Sequence, residues 1–201
     1  MFRKKQKSKP ESFLGRAWYF IWDDNSVWSW LVNILLAFVL IKFVVYPGLG
    51  LVLSTSHPVV AVVSDSMHHD ASFDEWWSSH SDKYQDYSIT KEEFRSFKLH
   101  NGFNKGDIIV LRGSEPQGLK VGDIIVFFGK EPDPIIHRVI QTWQEGDTHY
   151  FKTKGDKNPG FVAGEEEISE DRVVGRAWFR IPFVGYVKII FTEVLRILGV
   201  G

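Results

Sequence analysis

The sequence predicts a mainly β domain carried on an N-terminal transmembrane helix, with a small partly helical insertion and a C-terminal amphipathic helix. Three observations predict this. One apolar stretch, Val27 to Leu53 ("VWSWLVNILLAFVLIKFVVYPGLGLVL"), is long enough to cross a bilayer, since about twenty helical residues cover a hydrocarbon core of roughly 30 Å. Downstream of it, Gly-Asp-Ile-Ile-Val occurs twice, at 106–110 and 122–126. Each copy is a Gly-Asp turn that launches a run of β-branched residues. Residues 70–101 differ from both, being polar and aromatic without strand alternation.

The elements follow in chain order. Residues 1–26 form a basic N-terminus, with Arg3, Lys4, Lys5, Lys7, Lys9 and Arg16 against Glu11 in the first sixteen. Residues 27–53 are the span and its exit. No Lys or Arg appears between Phe43 and Asp82, so the positive-inside rule puts the N-terminus in the cytoplasm and the rest outside the cell membrane. The apolar core exceeds the 7–15 residues usual for a cleaved leader, and no small-x-small site follows, so the segment reads as an uncleaved anchor. Lys42 is expected to snorkel and Asn33 to bond its own backbone, a partner helix being the alternative.

Residues 54–182 form the outer domain. Val59–Val63 is a short buried strand, and "PIIHRVIQTW" (134–143), "THYFKTKG" (148–155) and "RVVGRAWFRIP" (172–182) are further strands. Gly146-Asp147 marks a hairpin. Within the 70–101 insertion, Thr90 and Glu93 fit a capping box and 74–79 a second short helix. The insertion reads as a flap. Its Phe73, Trp76, Trp77 and Phe94 are expected either to touch lipid or substrate or to pack on the domain. In 183–201, Lys188, Glu193 and Arg196 fall loosely on one face of an apolar helix, which reads as amphipathic and membrane-associated.

Composition excludes whole classes of chemistry. The 201 residues include no cysteine, so disulfides, Cys-ligated zinc and thiol catalysis are out. A formal net charge of −1 offers no general attraction for nucleic acid. No cofactor is expected. Ser66, at the end of "VVAVVSDSM", is a candidate nucleophile and needs a base. His137, set among Ile135, Ile136, Val139 and Ile140, is the candidate base. Asp156 in "TKGDKNPG" is the candidate orienter. Lys152 and Lys154 are rival bases. A metal site on His68, His69 and Asp70, with His80 and His149, is a separate alternative, weakened because adjacent histidines diverge.

Taken in order behind an anchor, "SDSM", "GDIIVFF" with "IIHRVI", and "TKGDKN" resemble the type I signal peptidases, in their archaeal and endoplasmic-reticulum branch. The resemblance covers about Val27 to Arg180 and leaves 70–101 unexplained. It implies a signal-peptidase β-fold, with Ser66 as nucleophile, His137 as general base and Asp156 holding the imidazole. The Ser66 N–H and the Ser64 hydroxyl would form the oxyanion hole. His137 stands where bacterial members carry lysine, and the adjacent Arg138 stays protonated. The substrate implied is the signal peptide of a secreted precursor, bound as an added strand. Membrane lipid and the protein-export channel are the other implied partners. Three positions depart from the family pattern. Asp65 replaces a glycine between the serines, His69 replaces a proline, and Val162 stands where a second aspartate often occurs. Glu165, Glu166 or Asp171 would have to supply that second acid. A catalytically inactive binding homologue and a processing protease with another substrate are the alternatives.

Overall fold

A computed structural model describes residues 10–130 and 133–197. The basic cluster at 3–9 and residues 198–201 lie outside the described residues. The chain divides into two compact units, residues 1–49 and 50–201.

The first unit is helical. Helix α1 (Phe13–Trp22) was not anticipated from the sequence. It is capped by Ser12, whose Oγ accepts from Gly15 N at 3.1 Å. Helix α2 (Val27–Leu40) runs through a π-turn (Ile41–Val45) into α3 (Tyr46–Leu53). Together they make one 27-residue helix, long and apolar enough to cross a membrane. The π-turn ends two residues before Pro47, which has no N–H to give the normal ladder. Asn33 does not bond its own helix. Its Nδ2 donates to Ile21 O at 2.9 Å, and Ser29 Oγ donates to Phe20 O at 2.5 Å. Both carbonyls lie in the last turn of α1, where helix geometry leaves acceptors without partners.

The second unit is built on a seven-stranded antiparallel sheet, ordered β1-β2-β7-β3-β4-β5-β6. The strands are β1 (Val59–Ala61), β2 (Ile108–Arg112), β3 (Ile124–Phe128), β4 (Pro134–Glu145), β5 (Thr148–Lys154), β6 (Ile168–Ser169) and β7 (Val173–Ile181). The two Gly-Asp repeats fold alike. Gly106 and Gly122 take φ of +88° and +91°, which a side chain would strain. The aspartates close both turns the same way, Asp107 Oδ2 accepting from Asn104 N and Asp123 Oδ2 from Lys120 N. Gly146-Asp147 joins β4 to β5 as a hairpin.

The insertion carries α4 (Phe73–His80), α5 (Asp82–Gln85) and α6 (Lys91–Ser96). Ser72 with Glu75 caps α4, and Thr90 Oγ1 accepts from Glu93 N to cap α6. It is a packed lobe and not an open flap. Trp76, Trp77, Tyr84 and Phe94 are buried together against Ile140 of β4. The aromatic residues considered for contact with lipid or substrate therefore build an interior, Phe73 packing at its margin. Helix α7 (Tyr186–Ile197) buries none of its side chains. Its apolar Val187, Ile190, Phe191 and Ile197 are exposed, while the Tyr186 ring lies on Gly106.

Candidate active site

Strand β1 lies at the sheet edge, and the chain beyond it stays tied to the β2 turn through Val62 N–H to Asp107 O at 2.9 Å. It then turns at Asp65, whose carbonyl accepts from His68 N at 3.0 Å. This turn carries Ser66. Met67 follows, sunk into the core with Val62 and Ile109, so apolar burial pins the residue beside the hydroxyl. The Ser66 Oγ lies 3.2 Å from Ser64 Oγ. Among the described residues, the Ser66 N–H has no hydrogen-bond partner.

Strand β4 supplies the facing wall. Its pairing with β5 begins only at Arg138, so among the described residues no strand pairs with the second backbone edge of Pro134–His137. That edge and the end of β1 border a groove of about 870 Å³, with Ser64, Asp65, Ser66, Ile135 and His137 among its lining. Val63, 59% exposed, and Val162 make the groove largely apolar, while Asp65 stands exposed on it. The sheet thus brings Ser66 and His137, 71 positions apart, to one cleft.

His137 is buried, and its Nδ1 bonds Glu165 Oε2. A carboxylate only accepts, so Nδ1 carries a proton, and in the neutral ring the lone pair is on Nε2. Glu165 is itself buried. Its Oε1 accepts from Val162 N at 2.6 Å, and Thr153 N donates to its carbonyl at 2.9 Å. The acid beside the imidazole thus comes from three residues beyond the position where an aspartate was looked for. The longer glutamate side chain returns to that position and takes its backbone N–H. His137 Nε2 faces Gly155, where a Cβ would lie only 2.8 Å away.

The orienting role expected of Asp156 does not match where its carboxylate lies. Oδ1 accepts from Tyr84 OH at 2.9 Å and Arg138 Nε at 3.0 Å. Oδ2 accepts from Arg138 Nη2 at 2.7 Å and His69 Nε2 at 3.0 Å. Burial alone would raise the Asp156 pKa. The Arg138 charge, then the His69 bond, outweigh burial and hold it well below the usual carboxylate range. Sequence position did not distinguish the two acids: Asp156 and Glu165 follow β5 by two and eleven residues, and only the fold shows that both are fully buried.

The rival bases sit away from the groove lining. Lys154 Nζ donates to Gly155 O and Asn158 O, each at 2.9 Å, and burial lowers its pKa. Lys152 Nζ lies 4.4 Å from the Phe161 ring centroid. The histidines weighed as metal ligands have separate partners. His68 bonds Asn104, His69 bonds Asp156, His80 bonds the Trp76 carbonyl and His149 bonds Glu170.

No protein-family model matches the chain. Among curated proteins it is similar to the "Signal peptidase complex catalytic subunit sec11" of Pyrenophora tritici-repentis, 30% identical over 160 residues, which is 75% of this chain and 73% of that protein. The SEC11 subunit of Scheffersomyces stipitis is 28% identical over 157 residues, 75% of each chain. That of Fusarium vanettenii is 35% identical over 65 residues, 30% of this chain. The chain spans 38% of the length of the Fusarium vanettenii relative and 61% of that from Metarhizium robertsii.

Proposed function

The chain belongs to the family of SEC11 catalytic subunits of the signal peptidase complex, and from that premise we propose that it is a membrane-bound serine endopeptidase that removes N-terminal signal peptides from secreted precursors. The observation that carries this reading is the shared groove. It holds Ser66 and a His137 whose Nδ1 is committed to a buried carboxylate, leaving Nε2 as a base.

The proposed reaction uses these groups directly. His137 Nε2 takes the Ser66 proton as Oγ attacks the scissile carbonyl. The unpartnered Ser66 N–H and the Ser64 hydroxyl receive the oxyanion, a donor pair of which one member is worth roughly 3–4 kcal/mol in such sites. The imidazolium returns its proton to the leaving amine. Water activated by the same nitrogen then opens the acyl-enzyme. Glu165 holds the tautomer and stabilises the imidazolium, the part first expected of Asp156. The substrate lies extended, adding a strand along the second edge of Pro134–His137 opposite the end of β1. Small pockets along the apolar walls would admit the side chains one and three residues before the cut.

In this reading the Val27–Leu53 helix anchors the chain, the N-terminus is cytoplasmic and the peptidase unit is outside. Membrane lipid receives the exposed apolar face of α7, and the export channel delivers the precursor. Detergent-solubilised chain is expected to cut a model secretory precursor after its signal region, and Ser66→Ala to lower the rate about 10⁶-fold. A wild type that binds but does not cut would sink the proposal in favour of a non-catalytic homologue. Cutting only away from signal regions would point to a processing protease of another specificity.

A further inference from the structure

Four donors reach the buried Asp156 carboxylate, and two of them belong to the insertion or its threshold: Tyr84 OH of α5 and His69 Nε2. Arg138 supplies the other two. Its remaining N–H groups donate to Lys98 O at 3.2 Å, Leu99 O at 3.0 Å and Gly122 O at 3.2 Å. Asp156 and Arg138 together therefore tie both ends of the lobe to the sheet.

The same residue sits in the turn that touches both candidate catalytic groups. Lys157 N donates to Ser66 O at 2.8 Å, and Gly155 lies against His137 Nε2. Tyr84 supports this turn a second time. Its ring lies 5.2 Å from Lys154 Nζ, which bonds the carbonyls of Gly155 and Asn158 at the two ends of the turn. The lobe's interior is already packed by Trp76, Trp77 and Phe94. The Tyr84 hydroxyl adds no apolar contact there. Among the described residues, its one hydrogen bond goes to Asp156.

We propose that the 70–101 insertion is a positioning element for catalysis: through Tyr84, and with His69, it fixes Asp156 and hence the Gly155–Asn158 turn that sets Ser66 against His137. This rests on the reading of Ser66 and His137 given above. Tyr84 and His69 act through the turn and are positioning residues.

The test uses the full chain in detergent, with Tyr84→Phe removing only the hydroxyl. Loss of one bond to a charged, buried acceptor is expected to lower kcat about tenfold, with KM within about twofold. Hydrogen exchange at the Lys157 amide is expected to quicken about tenfold. Arg95→Ala serves as the control. It breaks a 2.5 Å bond to Asp74 on the exposed side of the lobe, and should leave kcat and Lys157 exchange unchanged. Unchanged kcat and exchange in Tyr84→Phe would overturn the proposal. So would an equal loss in Arg95→Ala, which would mark general loosening of the lobe. If the wild type cuts no precursor, the peptidase reading fails by itself. Lys157 exchange then still decides the buttress, faster exchange in Tyr84→Phe supporting it and unchanged exchange overturning it.

Discussion

Replacing Glu165 with glutamine separates the two buried acids. The Glu165 carboxylate accepts on both oxygens, from Val162 N–H on Oε1 at 2.6 Å and from His137 Nδ1 on Oε2. Glutamine has one acceptor oxygen and one NH₂ group. The backbone N–H of Val162 can only donate, so the amide oxygen turns toward it. The NH₂ then faces His137 Nδ1, which must become an acceptor, and the ring proton moves to Nε2. A base with its proton on Nε2 cannot take one from Ser66. A wrong-tautomer substitution of this kind lowers turnover by about 10⁴ in a serine triad, or about 5.5 kcal/mol. Glu165→Asp keeps the charge but retracts the carboxylate by one carbon–carbon bond, about 1.5 Å, and should lose less. The assay is precursor cleavage by purified wild type, Glu165→Gln, Glu165→Asp and Asp156→Asn. Imidazole ¹⁵N shifts of His137 are read in parallel. Glu165→Gln should show the Nε2–H tautomer, and Asp156→Asn should keep Nδ1–H. Cleavage by Glu165→Gln within about tenfold of wild type, with Nδ1–H retained, would refute the reasoning. So would an inverted tautomer in Asp156→Asn.

Three further outcomes follow from the geometry. Gly155→Ala places a Cβ 2.6 Å from Asn158 Nδ2 and 2.8 Å from His137 Nε2. The Asn158 amide can swing away, whereas the ring is held by Glu165. Cleavage should therefore fall about 100-fold, while overpacking costs only about 1–3 kcal/mol in urea unfolding. Stability should also respond to acid through Asp156. Its folded pKa is depressed below an unfolded value of about 3.9, so the folded state binds fewer protons. Its contribution is present above about pH 4 and is lost as pH falls through the folded pKa. Asp156→Asn should be less stable at pH 7 and show a shallower decline of unfolding free energy below pH 4. An unaltered slope would contradict the assignment. Gly106→Ala meets the Tyr186 ring at 2.1 Å in a backbone with φ +88°, so α7 should detach at its root. Faster trypsin cleavage at Lys188 checks this.

How far the sequence could be read depended on the kind of information each feature carries. Strands β2 and β3 were legible because Gly-Asp turns and β-branched runs are local signals. The two turns fold alike, down to the aspartate that closes each. Motif order points to Ser66 and His137 as a pair, and both line one groove. The long apolar helix was legible from length alone, whereas α1 was hidden by the charged lead around it. The insertion reads as a flap because, although Phe73, Trp76 and Trp77 fall at i, i+3 and i+4, the sequence does not show what that aromatic face packs on. Their burial depends on Ile140 of β4, a partner that only the fold supplies. The choice between Asp156 and Glu165 was illegible for a deeper reason. Glu165 opens the run "EEEIS", in which its neighbours Glu166 and Glu167 are exposed. Nothing in such a run marks the one acid that turns inward. What selects it is the Val162 N–H and the His137 ring, both tertiary partners. Arg138 makes the complementary choice. Its guanidinium, adjacent in sequence to the imidazole but on the opposite side of β4, takes Asp156 in a bidentate grip and removes it from His137. With Asp156 so engaged, Glu165 is the carboxylate left to the imidazole, and one strand directs two acids to two tasks.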